Sequence, residues 1–474
     1  MALVLGRTAK PSYLEQNKKM KNKLTRRDFI KRTALGATTV AASVTAAPYL
    51  IPSRALGSGS TPPPSERITL GYIGTGGRGN ALMYSFLRQP GAQSVAVCDA
   101  FASRRKAAAK SVDDFYAQQT KKGEYKACTI YKDFRELIAD ESIDAVVIAT
   151  PDHWHVPIAM AAVRAGKHIY VEKPLGVAVA WNQALRALID RYGVIFQYGT
   201  QQRSGRNFRF ACELTRNEKI GKLERIEAWC PALAAAGGGS TEPIAVPDDL
   251  DYDLWLGPAP KSAYTKDRCT YLGCYHIYDN ALGFIAGWGA HPLDIAQWGN
   301  DTDHTAPVEY TGTGKIPVGG LFDTISDWDI QCRYANGVTM RFMDDRIAKE
   351  TVSAYRPFEG HGTTFFGSEG WVSVDRGGIH ASDPALLDIK LGPDEIHLYE
   401  SNNHSGNFID SIRNCTPAVS PVGAAVQSDI ISHLSDICIR VGRKIVWNPE
   451  KEVIVGDEAA TRMLNRPLRS PWRL

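Results

Sequence analysis

Short apolar runs bounded by turn residues alternate with amphipathic stretches through residues 66–198. Arg67 to Ile73, Ser94 to Cys98, Ala145 to Ala149, Lys167 to Val171 and Val194 to Tyr198 read as strands. Between them, Phe101 to Gln119, Phe134 to Ala139 and Pro157 to Ala165 space their apolar residues as helices do, and the helix after the first strand begins near Asn80. Strand and helix in strict alternation predict an α/β fold with a parallel sheet. The pattern then changes. Leu223 to Cys230 alternates, Thr324 to Tyr334 and Val338 to Phe342 flank the hairpin pair Asn336-Gly337, and Phe365 to Val372 reads as a strand pair. Asn407 to Arg413 and Val426 to Gly442 read as helices, and no internal repeat is visible.

Composition narrows the class. The chain has 474 residues, 44% hydrophobic and 22% charged, which suits a globular protein of two or three domains. Its net charge of +4 is small, and part of it lies near the N-terminus, so nucleic acid is not expected as a partner. Nine cysteines without a close CxxC pair indicate neither a zinc site nor a disulfide framework, and no metal is expected. Cys269 and Cys274 can pair in an oxidising compartment, although small buried residues are the plainer reading.

Residues 1–57 read as a twin-arginine signal and leader. Thr25-Arg26-Arg27-Asp28-Phe29-Ile30-Lys31 precedes an uncharged, alanine-rich run from Thr33 to Ala47 that is too short and weakly apolar to span a bilayer. Small residues near Ala47 and Ala55 offer cleavage sites, and translation can start at Met1 or Met20. Residues 58–65, rich in Gly, Ser and Pro, form a linker. The expectation is a periplasmic or secreted protein, carried folded by the twin-arginine export machinery.

The first strand runs into Gly74-Thr75-Gly76-Gly77-Arg78-Gly79, a dinucleotide fingerprint. Gly74 permits the tight turn, Gly76 lets backbone approach a pyrophosphate, and Gly79 allows close packing of helix on strand. Asp99 ends the second strand, where an acidic side chain accepts from ribose hydroxyls, favouring NAD. Arg104 and Arg105 follow and can hold a 2′-phosphate, so NADP stays open. Ligands bind at the carboxyl ends of such strands, which places Thr150, Pro151, Asp152, His153 and His155 along the cofactor, with Glu172 and Lys173 at the next strand end. A lysine there can polarise a substrate hydroxyl and take its proton as hydride departs.

These segments, Gly71 to Gly79, Val97-Cys98-Asp99, Ala149-Thr150-Pro151-Asp152-His153-Trp154-His155 and Val171-Glu172-Lys173-Pro174, together resemble the Gfo/Idh/MocA oxidoreductases. The ends Trp447 to Glu450 and Asn465 to Trp472 resemble a secreted bacterial branch, so the resemblance spans about residues 66–474. It implies a Rossmann dinucleotide-binding domain over 66–198. An α+β domain with an open, mostly antiparallel sheet over the nicotinamide would follow at 199–403, with C-terminal helices and tail packing back over 404–474. It also implies work near substrate and nicotinamide for Lys173. A homo-oligomer joined through the C-terminal sheet is expected.

Gly287-Trp288-Gly289-Ala290-His291-Pro292-Leu293-Asp294 matches the family segment that carries its histidine, at His291. The family's aspartate four residues earlier is replaced by Gly287. A carboxylate one helical turn before the histidine would orient it, so proton transfer must be re-routed or weakened. Candidates are His276, Tyr278, Asp279 and Asp294. Tyr271, Tyr275, Tyr278, Trp255 and Trp288 can stack on a pyranose or serve as ordinary packing. Gln201, Arg203 and Arg206 can reach substrate hydroxyls or a carboxylate.

The expected function is hydride transfer between retained NAD(P) and a sugar, polyol or sugar derivative, because an exported enzyme has no cofactor pool to draw on. One alternative is a redox-neutral NAD-dependent glycoside hydrolase using transient oxidation and elimination. Another is a non-catalytic sugar- and nucleotide-binding sensor.

Overall fold

The computed structural model describes residues 66–118, 127–233 and 237–474, so the expectations for residues 1–65 lie outside the described residues. Six strands form the first sheet: β1 (Ile68–Ile73), β2 (Ala92–Cys98), β3 (Thr129–Tyr131), β4 (Ala145–Ile148), β5 (His168–Val171) and β6 (Phe196–Tyr198). Their order is β3-β2-β1-β4-β5-β6, and every pairing is parallel. This is the doubly wound order, in which the order of strand connection reverses between β1 and β4 and opens a crevice beyond their carboxyl ends. All four residues of β4 are buried, as a parallel strand covered by helices on both faces requires.

The helix after β4 departs from the sequence reading. It runs Asp152–Arg164 and contains Pro157, rather than starting there. Pro151 serves as its N-cap residue, so the helix opens five residues earlier than the preference for proline in the first turn suggests. That shift turns Asp152 toward the crevice and His155 into the protein.

The second sheet has nine strands, β7 (Leu223–Cys230), β8 (Glu309–Lys315), β9 (Asp327–Arg333), β10 (Thr339–Asp344), β11 (Gly362–Gly367), β12 (Trp371–Val374), β13 (Ile379–Ala381), β14 (Ile445–Asn448) and β15 (Val453–Ile454). Their order is β13-β12-β11-β7-β10-β9-β8-β14-β15, and only β7 and β10 run parallel. Between β9 and β10, Gly337 takes φ +91°, the conformation that an Asn-Gly hairpin turn demands. The helices Arg206–Arg216, Ala290–Gly299 and Val422–Val441 pack on this sheet. Helix Asp345–Val352 covers Trp229 and Met343 in a separate apolar cluster.

The C-terminal segment reaches back to the first sheet. In helix Val422–Val441, Asp429 accepts from the Leu175 amide at 2.7 Å and the Tyr198 hydroxyl at 2.5 Å, fixing the turn that follows Lys173. Phe408, from helix His404–Asn414, packs edge-on to Phe86 and Tyr170. Trp472 sits 4.7 Å from the Trp154 ring, so the tail seals the back of the helix that carries Asp152.

Candidate active site

A cleft of about 800 Å³ lies beyond the carboxyl ends of β1, β4 and β5, lined on one side by the glycine loop and on the other by Tyr275, Trp288, His291 and Arg376. The loop divides its glycines by task. Gly74 has φ +87°, and a Cβ there would meet the Ala149 carbonyl at 2.6 Å; at Gly79 it would come 2.0 Å from the Gly74 carbonyl oxygen. Those two are demanded by the turn and by helix packing. At Gly76 an added Cβ meets nothing nearer than Arg104 at 3.7 Å, and at Gly77 nothing within 4 Å. Their bare backbone faces the cleft at the start of helix Gly77–Leu87, a cradle for pyrophosphate that side chains would fill.

Asp99 stands behind this loop. Its Oδ2 accepts from the Thr75 amide at 2.7 Å and the Thr75 hydroxyl at 3.2 Å, while Oδ1 accepts from the Phe101 amide at 2.9 Å. Carboxylate oxygens keep further lone pairs for ribose hydroxyls, so one side chain can hold both loop and sugar. Arg104 stacks on Phe101 with its guanidinium 3.9 Å from the ring centroid, at the cleft's adenosine end. Arg105 instead donates to the Asp99 carbonyl at 2.9 Å.

At the opposite end, three buried polar atoms lack protein partners: Thr150 Oγ1, Asp152 Oδ2 and His291 Nδ1. All three residues line the cleft. Buried polar atoms are normally paired, so an unmet donor–acceptor set at one end of a glycine-loop cleft fits a nicotinamide and a hydroxylated substrate. Gly74 to Gly79 and Asp99 would hold the adenosine and phosphates of NAD, with Thr150 and Pro151 along the remainder.

Lys173 lies between the two sheets' contributions. Its Nζ donates to the Gly287 carbonyl at 2.6 Å and sits 5.4 Å from the centroid of the Tyr275 ring. Burial lowers its pKa, and the charges of Glu172 and Asp152, which oppose this, do not restore it. The lysine is therefore readier than usual to give up a proton and act as a base. Glu172 is fully engaged: its Oε1 accepts Arg78 at 2.8 and 2.7 Å and Gln201 at 3.0 Å. Burial raises its pKa, but Arg78 and Lys173 together carry it below the ordinary carboxyl range. Glu172, expected along the cofactor, does not line the cleft; Arg78 does, and Glu172 holds it from behind together with Gln201.

His291 begins its helix one residue after Ala290 and is 3% exposed. Burial, then the positive charges of Lys173, Arg376 and Arg78, push its pKa well below 6.5. The imidazole is neutral at neutral pH, a hydrogen-bonding partner and weak base for a substrate hydroxyl. Gly287 belongs to the short helix Phe284–Gly287, and a turn at Trp288-Gly289 separates it from the histidine's helix, so the two do not share a continuous helical face. A Cβ at Gly287 would sit 3.0 Å from Tyr275 Cδ1. The tyrosine ring borders the place where a carboxylate side chain would begin.

Several expected site residues lie elsewhere. His155 is held between the Pro174 carbonyl at 2.7 Å and the Thr150 carbonyl at 2.8 Å and does not line the cleft; it braces the two loops that do. Asp294 pairs with Arg203, 2.7 Å away, both 2% exposed at the side chain, and Arg203 also binds Asp303. That buried network ties Gln201–Ser204 to helix Ala290–Gly299 and leaves neither residue free for substrate. Tyr278 is flanked by Arg440 and Arg466, at 3.5 and 4.0 Å. Asp279 is exposed outside the cleft, and His276 donates to or accepts from Thr324 at 3.2 Å within an aromatic cluster. None of the four re-routing candidates reaches Lys173 or His291 through the cleft. Trp288 does line it, with Arg376 4.9 Å from its ring and His361 beside it. Arg376 and His361 come from the second sheet's hairpin region, where no motif flags them. Cys269 and Cys274 both carry free thiols.

Fold and cleft define the class of nicotinamide-dependent oxidoreductases built on a Rossmann domain. Residues 68–200 match the Gfo/Idh/MocA oxidoreductase family's NAD-binding Rossmann fold, and residues 228–368 and 387–474 match its C-terminal alpha/beta domain. The chain belongs to the Gfo/Idh/MocA family. Among curated relatives, a glycosyl hydrolase family 109 protein of Saccharopolyspora erythraea is 39% identical over 114 residues, 24% of either chain. A second such protein, from Shewanella sp. strain ANA-3, is 32% identical over 162 residues, 31% of this chain and 34% of the relative. The chain thus spans about a third or less of the length of these relatives. Among solved structures, GenD2 from gentamicin A biosynthesis in complex with NAD superposes with TM-score 0.56 at 18% identity, covering 83% of this chain and 98% of that one. A putative myo-inositol dehydrogenase of Sinorhizobium meliloti 1021 does so with TM-score 0.52 at 16% identity, covering 80% and 99%. Both support the fold.

Proposed function

We propose that this protein is an exported oxidoreductase that retains NAD and acts on a sugar, polyol or glycoside. One observation carries the reading: the Lys173 side-chain nitrogen and the unpartnered His291 Nδ1 line the same cleft as the glycine loop. NAD, when bound, supplies the hydride acceptor and donor. Lys173 takes the proton of the substrate hydroxyl at Nζ, His291 orients that hydroxyl from Nδ1, and Trp288 offers an apolar face to the ring. Burial of the lysine matches this task, because a base must hold its proton loosely near neutral pH.

Export rests on the Arg26-Arg27 signal in the sequence, and retention of the cofactor follows from export. Self-association through the nine-stranded sheet belongs to the same proposal and is read by light scattering of the purified protein. A redox-neutral glycoside hydrolase is the second reading, favoured by the names of the relatives from Saccharopolyspora and Shewanella. The two separate in one assay. With a panel of glycosides and no added acceptor, the hydrolase releases free sugar without net reduced nucleotide, whereas the oxidoreductase accumulates reduced nucleotide or needs a second substrate. Absence of both products with nucleotide-loaded protein would leave only the binding sensor.

A further inference from the structure

Arg376 lines the cleft from the second sheet without a counter-charge of its own. It follows β12 in a four-residue turn, Asp375 to Gly378, closed by the Asp375 amide donating to the Gly378 carbonyl at 3.0 Å. The Asp375 carboxylate accepts from the Gly377 and Gly378 amides at 2.6 and 3.0 Å and from the Arg356 guanidinium, so the acid next to Arg376 is already engaged. Arg376 itself makes no hydrogen bond or ion pair among the described residues; its guanidinium lies 4.9 Å from the centre of the Trp288 ring. A guanidinium held against a ring face keeps its N–H donors free. Trp288 joins this group to the reacting end. Its ring is 5.7 Å from the His291 ring, and the residue before it, Gly287, accepts from Lys173 Nζ at 2.6 Å. The other basic groups there are committed: Arg78 is paired with Glu172, and His361, 5.1 Å from the Trp288 ring, is pushed down to about 4 by burial and is neutral at neutral pH.

We propose that Arg376 binds a carboxylate of the substrate, so that the site takes acidic sugars, a hexuronic acid or its glycoside, in preference to neutral ones. The proposal rests on the reading of this cleft as a sugar site and names the substrate class. An unpaired guanidinium presents a planar fork that meets a carboxylate through two parallel hydrogen bonds. A sugar beside Trp288 can turn a hydroxyl to Lys173 and His291 while its carboxylate meets Arg376. One unpaired cation answers one negative charge, which favours a carboxylate over a phosphate dianion. Arginines at a surface are commonly solvated, but this one is aimed by a turn whose anchors are buried, Arg356 at 6% and Asp375 at 1% exposure, and it faces the cleft.

The test reads binding without turnover. Titration calorimetry of the full-length protein, saturated with NAD, compares glucuronate, galacturonate, mannuronate and their methyl glycosides with the matching neutral hexoses. At least one acid sugar should bind about tenfold or more tighter than its neutral counterpart, the worth of a charge-assisted pair. Arg376→Gln should erase that preference, and Arg376→Lys, which keeps the charge without the fork, should keep part of it. A panel in which no acid sugar outbinds its neutral counterpart overturns the proposal, as does a preference that survives in Arg376→Gln. So does a variant whose main loss is affinity for NAD, which would put the guanidinium on a nucleotide phosphate. Hexose 6-phosphates and 6-sulfates form a further arm, and tighter binding of these than of the uronates would overturn the assignment to a carboxylate. Absence of reduced nucleotide from a bound acid sugar would strike the oxidoreductase reading and leave this result standing.

Discussion

The Lys173 Nζ donates to the Gly287 carbonyl oxygen across 2.6 Å, joining the end of a Rossmann strand to the segment that delivers His291. The residue that costs this chain a carboxylate therefore still holds the lysine, through its backbone. A carbonyl accepts one N–H of the amine and leaves its lone pair free for the substrate's proton.

His291 should be important for turnover and unimportant for stability. Its Nδ1 has no protein partner, so His291→Asn removes no internal bond of that nitrogen. We expect kcat to fall about 10²- to 10³-fold, as for loss of an acid–base or orienting group. The thermal midpoint should hold or rise, checked by calorimetry beside the kinetics.

Arg203 should show the opposite profile. Its guanidinium is sealed between Asp294 and Asp303, and Arg203→Met leaves the Asp294 carboxylate buried without its partner. The expected loss is about 3–5 kcal/mol in urea unfolding, with KM for the sugar little changed in the protein that remains folded.

Asp99 should set the nucleotide preference. Asp99→Ala removes the acceptor for the Thr75 and Phe101 amides and leaves Arg104 at the same end of the cleft. NAD binding should weaken about tenfold or more, and the preference over NADP should shrink, measured by titration calorimetry with both nucleotides.

Asp429 gives a pH signature. Burial lifts its carboxyl from 3.8 to about 7 despite the hydroxyl and amides that donate to it. The folded protein then holds a proton that the unfolded chain releases, so this group's contribution is full below about pH 4 and is lost as pH rises through about 7. The stability difference between wild type and Asp429→Asn should slope downward over that window and flatten above it, read from denaturant unfolding at a series of pH values.

The parallel sheet and the glycine loop were legible because their signals are local: period, turn residues and a strand-end acid. Lys173, Asp99, Trp288 and His291 reach the cleft as their motifs suggest. His155 was misread for a backbone reason, since a helix that opens at Asp152 with Pro157 inside it rotates the histidine toward two carbonyls. Asp294 and Tyr278 were misread for an electrostatic one, because their arginine partners, Arg203, Arg440 and Arg466, lie far away in sequence. Arg376 and His361 carry no spacing signal, and only the hairpins around β11 and β12 bring them to Trp288. The glycine-containing β8 and the short β13 and β15 went unread because they lack an apolar run, and β14 because its run, Ile445 to Trp447, is only three residues long.

The central claim is that Lys173 is the proton acceptor for hydride transfer in this cleft. The most direct measurement is stopped-flow absorbance of the reduced nicotinamide band after mixing NAD-loaded protein with a panel of sugars and glycosides, for wild type and Lys173→Met. We predict a rise with at least one substrate, persistent for net oxidation or transient for the redox-neutral cycle, and slowed about 10²- to 10⁴-fold in the variant. A wild-type protein that binds NAD and sugar without any such rise, or a Lys173→Met protein as fast as wild type, would contradict the account.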